Sequence, residues 1–156
     1  MVHEAYAGTE ATIFVDAPGK PARTVLRNIA LVYTRLQFDE RMNDLLRVVI
    51  AEVPSAPHLA REVYENGVLE RYRQLQAVVD SLVARGELKP HDTQSSALHL
   101  AGIVKEFVVW PSLFALDFKP SEDMDRKLEA CIDAYLDIYA ARPFERDRIQ
   151  ENIRGT

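Results

Sequence analysis

The chain has 156 residues, a formal net charge of -5, and a composition that is 47% hydrophobic and 28% charged. These values are typical of a single globular domain with a sizeable core. The acidic balance, without clustered Lys and Arg, argues against unaided binding to nucleic acid. The single cysteine, Cys131, excludes an internal disulfide and indicates a buried thiol in a reducing compartment.

No N-terminal stretch combines a basic start with an apolar segment, so the sequence predicts no signal peptide. No uninterrupted apolar run approaches the roughly 18 residues that a bilayer-spanning helix needs. We therefore expect a cytoplasmic protein that does not associate with a membrane.

Apolar residues recur with helical spacing, not strand spacing, along most of the chain. The first half predicts four helices, at about 21–37, about 39–53, a short segment through Leu59 and Tyr64, and about 68–85. Breaks are expected at Pro54 and Pro57 and again at Asn66–Gly67, and Gly86 is placed to cap the fourth helix.

The second half of the chain predicts two long helices. The first opens at Asp92 or Thr93 and is expected to kink or end at Pro111, with residues 112–116 forming a further turn. Ser121 is placed to cap the last helix. The sequence therefore predicts an all-α fold, an antiparallel helical bundle of about seven helices.

Three sequence segments resemble the C-terminal, effector-binding and dimerisation domain of TetR family transcriptional regulators, in particular the AcrR and AefR-like members. They are Leu45–Glu52 before a proline-containing break, Val83–Leu88 at the end of a long helix, and Phe107–Leu113 before a capped final helix. The resemblance covers roughly residues 20–140. It implies a homodimer that binds a small hydrophobic or amphipathic effector.

The resemblance also concerns the two ends of the chain. A complete member of the family begins with a basic helix-turn-helix region, which nothing before Thr24 supplies. Residues 1–18 are interpreted as the remnant of a connecting helix and loop, and residues 144–156 as a polar tail. We therefore expect no direct binding of operator DNA by this chain.

In the family the effector lies between the helices that here would be 21–37, 68–85 and 92–110. Large side chains with a polar tip, together with apolar walls, are the candidates for effector binding. They are Tyr33, Tyr72, Val79, His99, Ile103, Phe107 and Trp110. The alternative for the aromatic residues is a filled core, and for His99 a core or interface position with satisfied hydrogen bonds.

Small residues on the last two helices are the candidates for a dimer interface, because they let helices of two subunits approach closely. They are Ala97, Ala101, Gly102, Ala130 and Ala134. The alternative is packing within one chain.

The sequence predicts no catalytic residue, metal site or cofactor, since it has no nucleophile motif, metal-ligand cluster or phosphate loop. We interpret residues 1–156 as one ligand-binding and dimerisation domain of a TetR-like regulator. The alternative is a helical protein-interaction module that pairs with an intact regulator and has no small ligand. A small helical enzyme is a third, weaker hypothesis.

Overall fold

A computed structural model describes residues 19–39 and 42–143 of the chain, so the expectations for residues 1–18 and 144–156 lie outside the described residues. The described residues are helical apart from their connections, which confirms the all-α prediction. The helices are α1 (Ala22–Asp39), α2 (Met42–Glu52), α3 (Pro57–Val63), α4 (Leu69–Ala84), α5 (Thr93–Phe114) and α6 (Met124–Tyr139).

Helices α3 and α4 belong to one continuous helical stretch, because a turn of π-helix, Tyr64–Val68, joins them. The predicted break at Asn66–Gly67 is therefore wrong. A π-helical turn accommodates an additional residue while the backbone stays helical. Gly67 lies buried inside this turn.

Helix α5 continues through Pro111 and ends at Phe114, so the further turn predicted after the proline belongs to the same helix. The hydroxyl of Ser112 donates to the carbonyls of Val108 (2.6 Å) and Val109 (2.9 Å). These bonds tie the residue after the proline to the preceding turn. With the two expected breaks absent, the described residues form five continuous helical stretches and not about seven.

The core lies between α1, α4, α5 and α6, with Leu88 of the α4–α5 connection added to it. Helix α5 is central, since it packs against α1, α2, α4 and α6. Its buried face includes Leu100, Val104 and Val108, which have the spacing of one side of a helix. This arrangement leaves α5 able to contribute to more than one surface of the molecule.

Two of the helix ends agree with their predicted signals. Helix α4 ends in a Schellman motif around Gly86, whose φ is 76°, with Glu87 N donating to Leu82 O (3.0 Å). Asp92 caps α5 by accepting from the amide of Ser95 (3.2 Å). Helix α6 begins at Met124, three residues after the predicted cap Ser121.

Ion pairs between described residues join helices α1 and α6. Arg23 Nε lies 2.8 Å from Asp133 Oδ1, and Arg27 Nε lies 2.5 Å from Glu129 Oε1. These pairs lie at the edge of the contact that positions α1, and the contact itself is made by buried residues such as Leu26. Helix α1 forms one side of the candidate site.

The connection after α4 pairs with the chain after α6. Lys89 N donates to Tyr139 O (2.9 Å), and Ala141 N donates to Glu87 O (3.0 Å). The carboxylate of Glu87 also accepts from Ala22 N (3.2 Å) at the start of α1. The two ends of the described region therefore meet at the same turn.

Among the described helices, α5 has the length and composition that a membrane-spanning helix requires. Counting uninterrupted apolar runs does not find it, because Lys105 and Glu106 lie in its middle. In this fold α5 packs against four other helices, and the central helix of a soluble protein meets the same requirement.

Candidate functional site

A cavity of about 320 Å³ lies between α1, α2, the π-helical turn, α4 and α5. This volume is at the lower end of the range for ligand pockets, which is roughly 300–1,000 Å³. Most of its wall is apolar, and the aliphatic part is supplied by Leu26, Ile29, Ala30, Leu46, Ile50, Val68, Leu75, Leu100, Ala101, Val104, Val109 and Leu113. Such a wall suits a small ligand with an apolar body.

The residues of the cavity wall recur along each helix at the spacing of one helical face. On α1, Ile29, Tyr33 and Gln37 lie at four-residue intervals and face the cavity. On α5, Ala101 and Lys105 have the same interval. The sequence of each helix thus combines a stripe that fills the core with an adjacent stripe that faces the cavity.

The π-helical turn contributes both of its end residues, Tyr64 and Val68, to the wall. Ile50, Tyr64 and Trp110 are each more than 50% exposed as well as lining the cavity. This combination places them at its mouth. A ligand that enters here passes the single tryptophan of the chain.

The polar part of the wall centres on Lys105 and Tyr72. Lys105 Nζ donates to the Tyr72 hydroxyl and lies 4.3 Å from the centre of the Tyr72 ring. Burial lowers the pKa of Lys105, because the charged ammonium loses contact with water. Arg71, beside Tyr72 on α4, also lines the cavity.

Gln37 adds a buried amide to the wall. It is 2% exposed, and its Oε1 has no hydrogen-bond partner within the described structure. Its backbone carbonyl accepts from Asn43 Nδ2 (3.0 Å), which holds the start of α2 against the end of α1. Buried amide oxygens normally find a donor, so this oxygen is able to accept a hydrogen bond from a group that enters the cavity.

The structure places three of the seven predicted ligand-binding residues, Tyr33, Tyr72 and Trp110, on the wall of the cavity. The others lie elsewhere. Val79 is fully buried and Phe107 packs against the core.

The two remaining candidates also lie off the cavity wall. His99 is exposed, with Nδ1 3.1 Å from the Tyr139 hydroxyl. Ile103 is half-buried on α5.

Sequence reasoning did not select Gln37, Lys105, or the α2 residues Leu46 and Ile50. A signal for Lys105 was present in the sequence. It directly follows Val104 on an apolar helix, and lysine is rarely buried unless it is paired. The α2 residues gave no such signal. Their apolar stripe is equally compatible with a filled core.

The residues predicted for the dimer interface lie in three different environments. Ala97 is 1% exposed in the core of its own chain, so its side chain is not available to a partner. Ala101 lines the cavity. Gly102, Ala130 and Ala134 are exposed.

A sequence comparison matches residues 24–141 to the family described as AefR-like transcriptional repressor, C-terminal domain. The chain belongs to this AefR-like family. The resemblance to the TetR C-terminal domain is thereby confirmed, and the cavity of the AefR-like domain lies wholly within the matched residues. No match was found among curated proteins.

The fold of the AefR-like domain is similar to the crystal structure of a TetR-family transcriptional regulator from Mesorhizobium loti MAFF303099. The TM-score is 0.77 and the sequence identity 21%, over 89% of this chain and 69% of the other. The similarity supports the assignment of the fold.

Proposed function

We propose that this domain senses a small molecule in the cavity and forms a homodimer through the exposed faces of α5 and α6, as part of a TetR-like regulator in the cytoplasm. The observation that carries the proposal is the cavity itself, with its apolar wall and few polar groups. Sites of this kind are the usual location of small ligands in proteins.

The dimer part of the proposal rests on the exposed stripes of two neighbouring helices. Leu98 is 46% exposed on α5, and Ile138 is 57% exposed on α6. His99 and Tyr139, the next residues along each helix, hydrogen bond across the helix pair. Exposed apolar residues beside small ones suit contact with a second helix pair.

Gly102 provides a separate argument for contact with a partner. A glycine within a helix costs about 1 kcal/mol relative to alanine. A Cβ added at Gly102 would meet nothing within 4 Å, so packing inside its own chain does not require a glycine there. Close approach of a second subunit would require it.

Helix α5 suits the transmission of a signal between the two surfaces. Ala101 and Lys105 line the cavity, while Leu98 and Gly102 belong to the exposed stripe. A ligand that favours one position of α5 would therefore favour one arrangement of the paired subunits. This differential binding is the mechanism that we propose for effector response.

Ligand binding is tested with a panel of small apolar and amphipathic compounds. We expect saturable changes in Trp110 fluorescence with one site per chain, confirmed by calorimetry. A ligand at a hundred times its dissociation constant should also stabilise the fold by about 2.7 kcal/mol. If no compound changes fluorescence or thermal stability, the sensor function is refuted, and a dimer without ligand would favour the protein-interaction module.

Dimerisation is tested by sedimentation equilibrium at micromolar concentrations. We expect the mass of two chains for the wild type and of one chain for Gly102→Glu, which places a charge in the proposed interface. Ala77→Glu, on the exposed side of α4, is the matched control and should remain a dimer. A wild-type monomer well above this concentration range would refute the interface.

A further inference from the structure

Among the described residues, those that line the cavity and carry a charge are all cationic. Arg71 and Lys105 are its cationic residues, and no Asp or Glu is among the described residues that line it. The rest of the wall is apolar or carries uncharged polar groups. The chain as a whole is acidic, so two cationic residues on one apolar wall run against its average composition.

Lys105 has a hydrogen-bond partner but no counter-ion. Its ammonium is bound to the Tyr72 hydroxyl and ring, and within the described structure no carboxylate pairs with it. A charge withdrawn from water is normally paired with an opposite charge. The lowered pKa of Lys105 is the signature of this unfavourable environment.

The direction of the hydrogen bond between the two residues leaves a donor for a ligand. An ammonium group only donates, so Tyr72 Oη is the acceptor in this bond. The Tyr72 hydroxyl hydrogen then remains to donate elsewhere. The ammonium and the hydroxyl together present two donors, one of them charged, at adjacent points of an apolar cavity.

We propose that the cavity binds a small amphipathic monocarboxylate, with its carboxylate held by Lys105 and Tyr72 and its apolar body against the aliphatic wall. This inference rests on the proposed sensor function and specifies its ligand class. A carboxylate supplies the counter-ion that Lys105 lacks and accepts from both donors. A cationic ligand would be repelled, and a neutral one would leave the ammonium without a counter-ion.

The volume sets the size of the ligand body that the cavity can enclose. At about 320 Å³ the cavity suits a compound of the size of octanoate, whose chain contacts the aliphatic wall. Oε1 of Gln37, which has no hydrogen-bond partner among the described residues, would accept from a hydroxyl or amide on the ligand body. A substituted acid can therefore bind more tightly than the plain chain.

The test compares octanoate, octanol and octylammonium, which share one chain and differ in head group, by calorimetry on the full chain below micellar concentrations. We expect octanoate to bind roughly ten- to a hundredfold more tightly than octanol, as expected for hydrogen bonds to a charged group. Octylammonium should bind more weakly than octanol.

Variants assign this preference to the proposed residues. Lys105→Met keeps the length of the side chain and should abolish the preference for octanoate without weakening octanol. Tyr72→Phe should reduce the preference and leave part of it. Lys119→Met, at an exposed position outside the cavity, is the control and should behave as the wild type. Circular dichroism verifies that each variant is folded.

The outcomes separate the two levels of the proposal. If octanol binds as tightly as octanoate, the carboxylate class is wrong. If Lys105→Met retains the preference, the placement of the carboxylate at Lys105 is wrong. In both cases the sensor function stands. If none of the three compounds binds and the wider panel also fails, the sensor function itself is refuted.

Discussion

Filling the cavity from α5 should stabilise the protein. Ala101 is half-buried and faces the cavity, and Ala101→Leu adds three carbon atoms there with little change in helix propensity. At about 0.8 kcal/mol for each buried carbon, complete burial raises the free energy of unfolding by about 2 kcal/mol. For a chain of this size the melting temperature should rise by about 4–8 °C.

Urea unfolding monitored by circular dichroism measures the effect, at one fixed protein concentration because a dimer's stability depends on concentration. The control Ala77→Leu makes the same change on the exposed side of α4 and should stay within about 0.5 kcal/mol of the wild type. Ala101→Leu should also weaken ligand binding. A destabilisation of about 1–3 kcal/mol would instead mean overpacking, and the cavity would then not exist in solution.

Three further predictions concern the rest of the fold. Leu82→Ala removes a side chain that is 0% exposed and should lower the free energy of unfolding by about 2–5 kcal/mol in urea titrations. Cys131 is half-buried, and this partial burial raises the pKa of its thiol, so its reaction with an aromatic disulfide at neutral pH should be slow and should accelerate in urea; equal rates would contradict the partial burial. The Ser121 hydroxyl, and after it Lys127, lowers the pKa of Asp123 from 3.8 to about 2, and an NMR titration should show this value and its rise in Ser121→Ala. Because the folded pKa is depressed, Asp123→Asn should destabilise the protein above pH 3.8, with the difference lost as the pH falls towards 2.

The helices could be predicted from the sequence wherever a single apolar stripe dominates a segment. Helices α1, α4, α5 and α6 each bury a continuous apolar stripe, and proline, glycine and aspartate mark several of their ends. The prediction failed at Asn66–Gly67 and left open whether α5 ends at Pro111, because local signals for a break compete there with a helix that tertiary contacts support on both sides. The π-helical turn and the Ser112 hydrogen bonds are the local adjustments involved.

The cavity could be predicted only in part. The family resemblance indicated the helices and selected Tyr33, Tyr72 and Trp110, which face the cavity. Val79 was selected as an apolar wall residue, but it lies on the neighbouring stripe of its helix, in the core. Which stripe faces a cavity depends on the spacing between helices, and no single helix sequence contains that spacing.

Glu87 accepts from Ala22 at the start of α1 through its carboxylate and from Ala141, two residues after α6, through its carbonyl. In a shortened chain, Ala22 and Ala141 are therefore near enough to be joined by a short peptide, and the exposed residues 119–121 between α5 and α6 offer a place for new termini. A circularly permuted domain of this kind would leave every wall of the cavity intact. A fluorescent protein fused to the new terminus that follows α5 would report directly on the position of this helix.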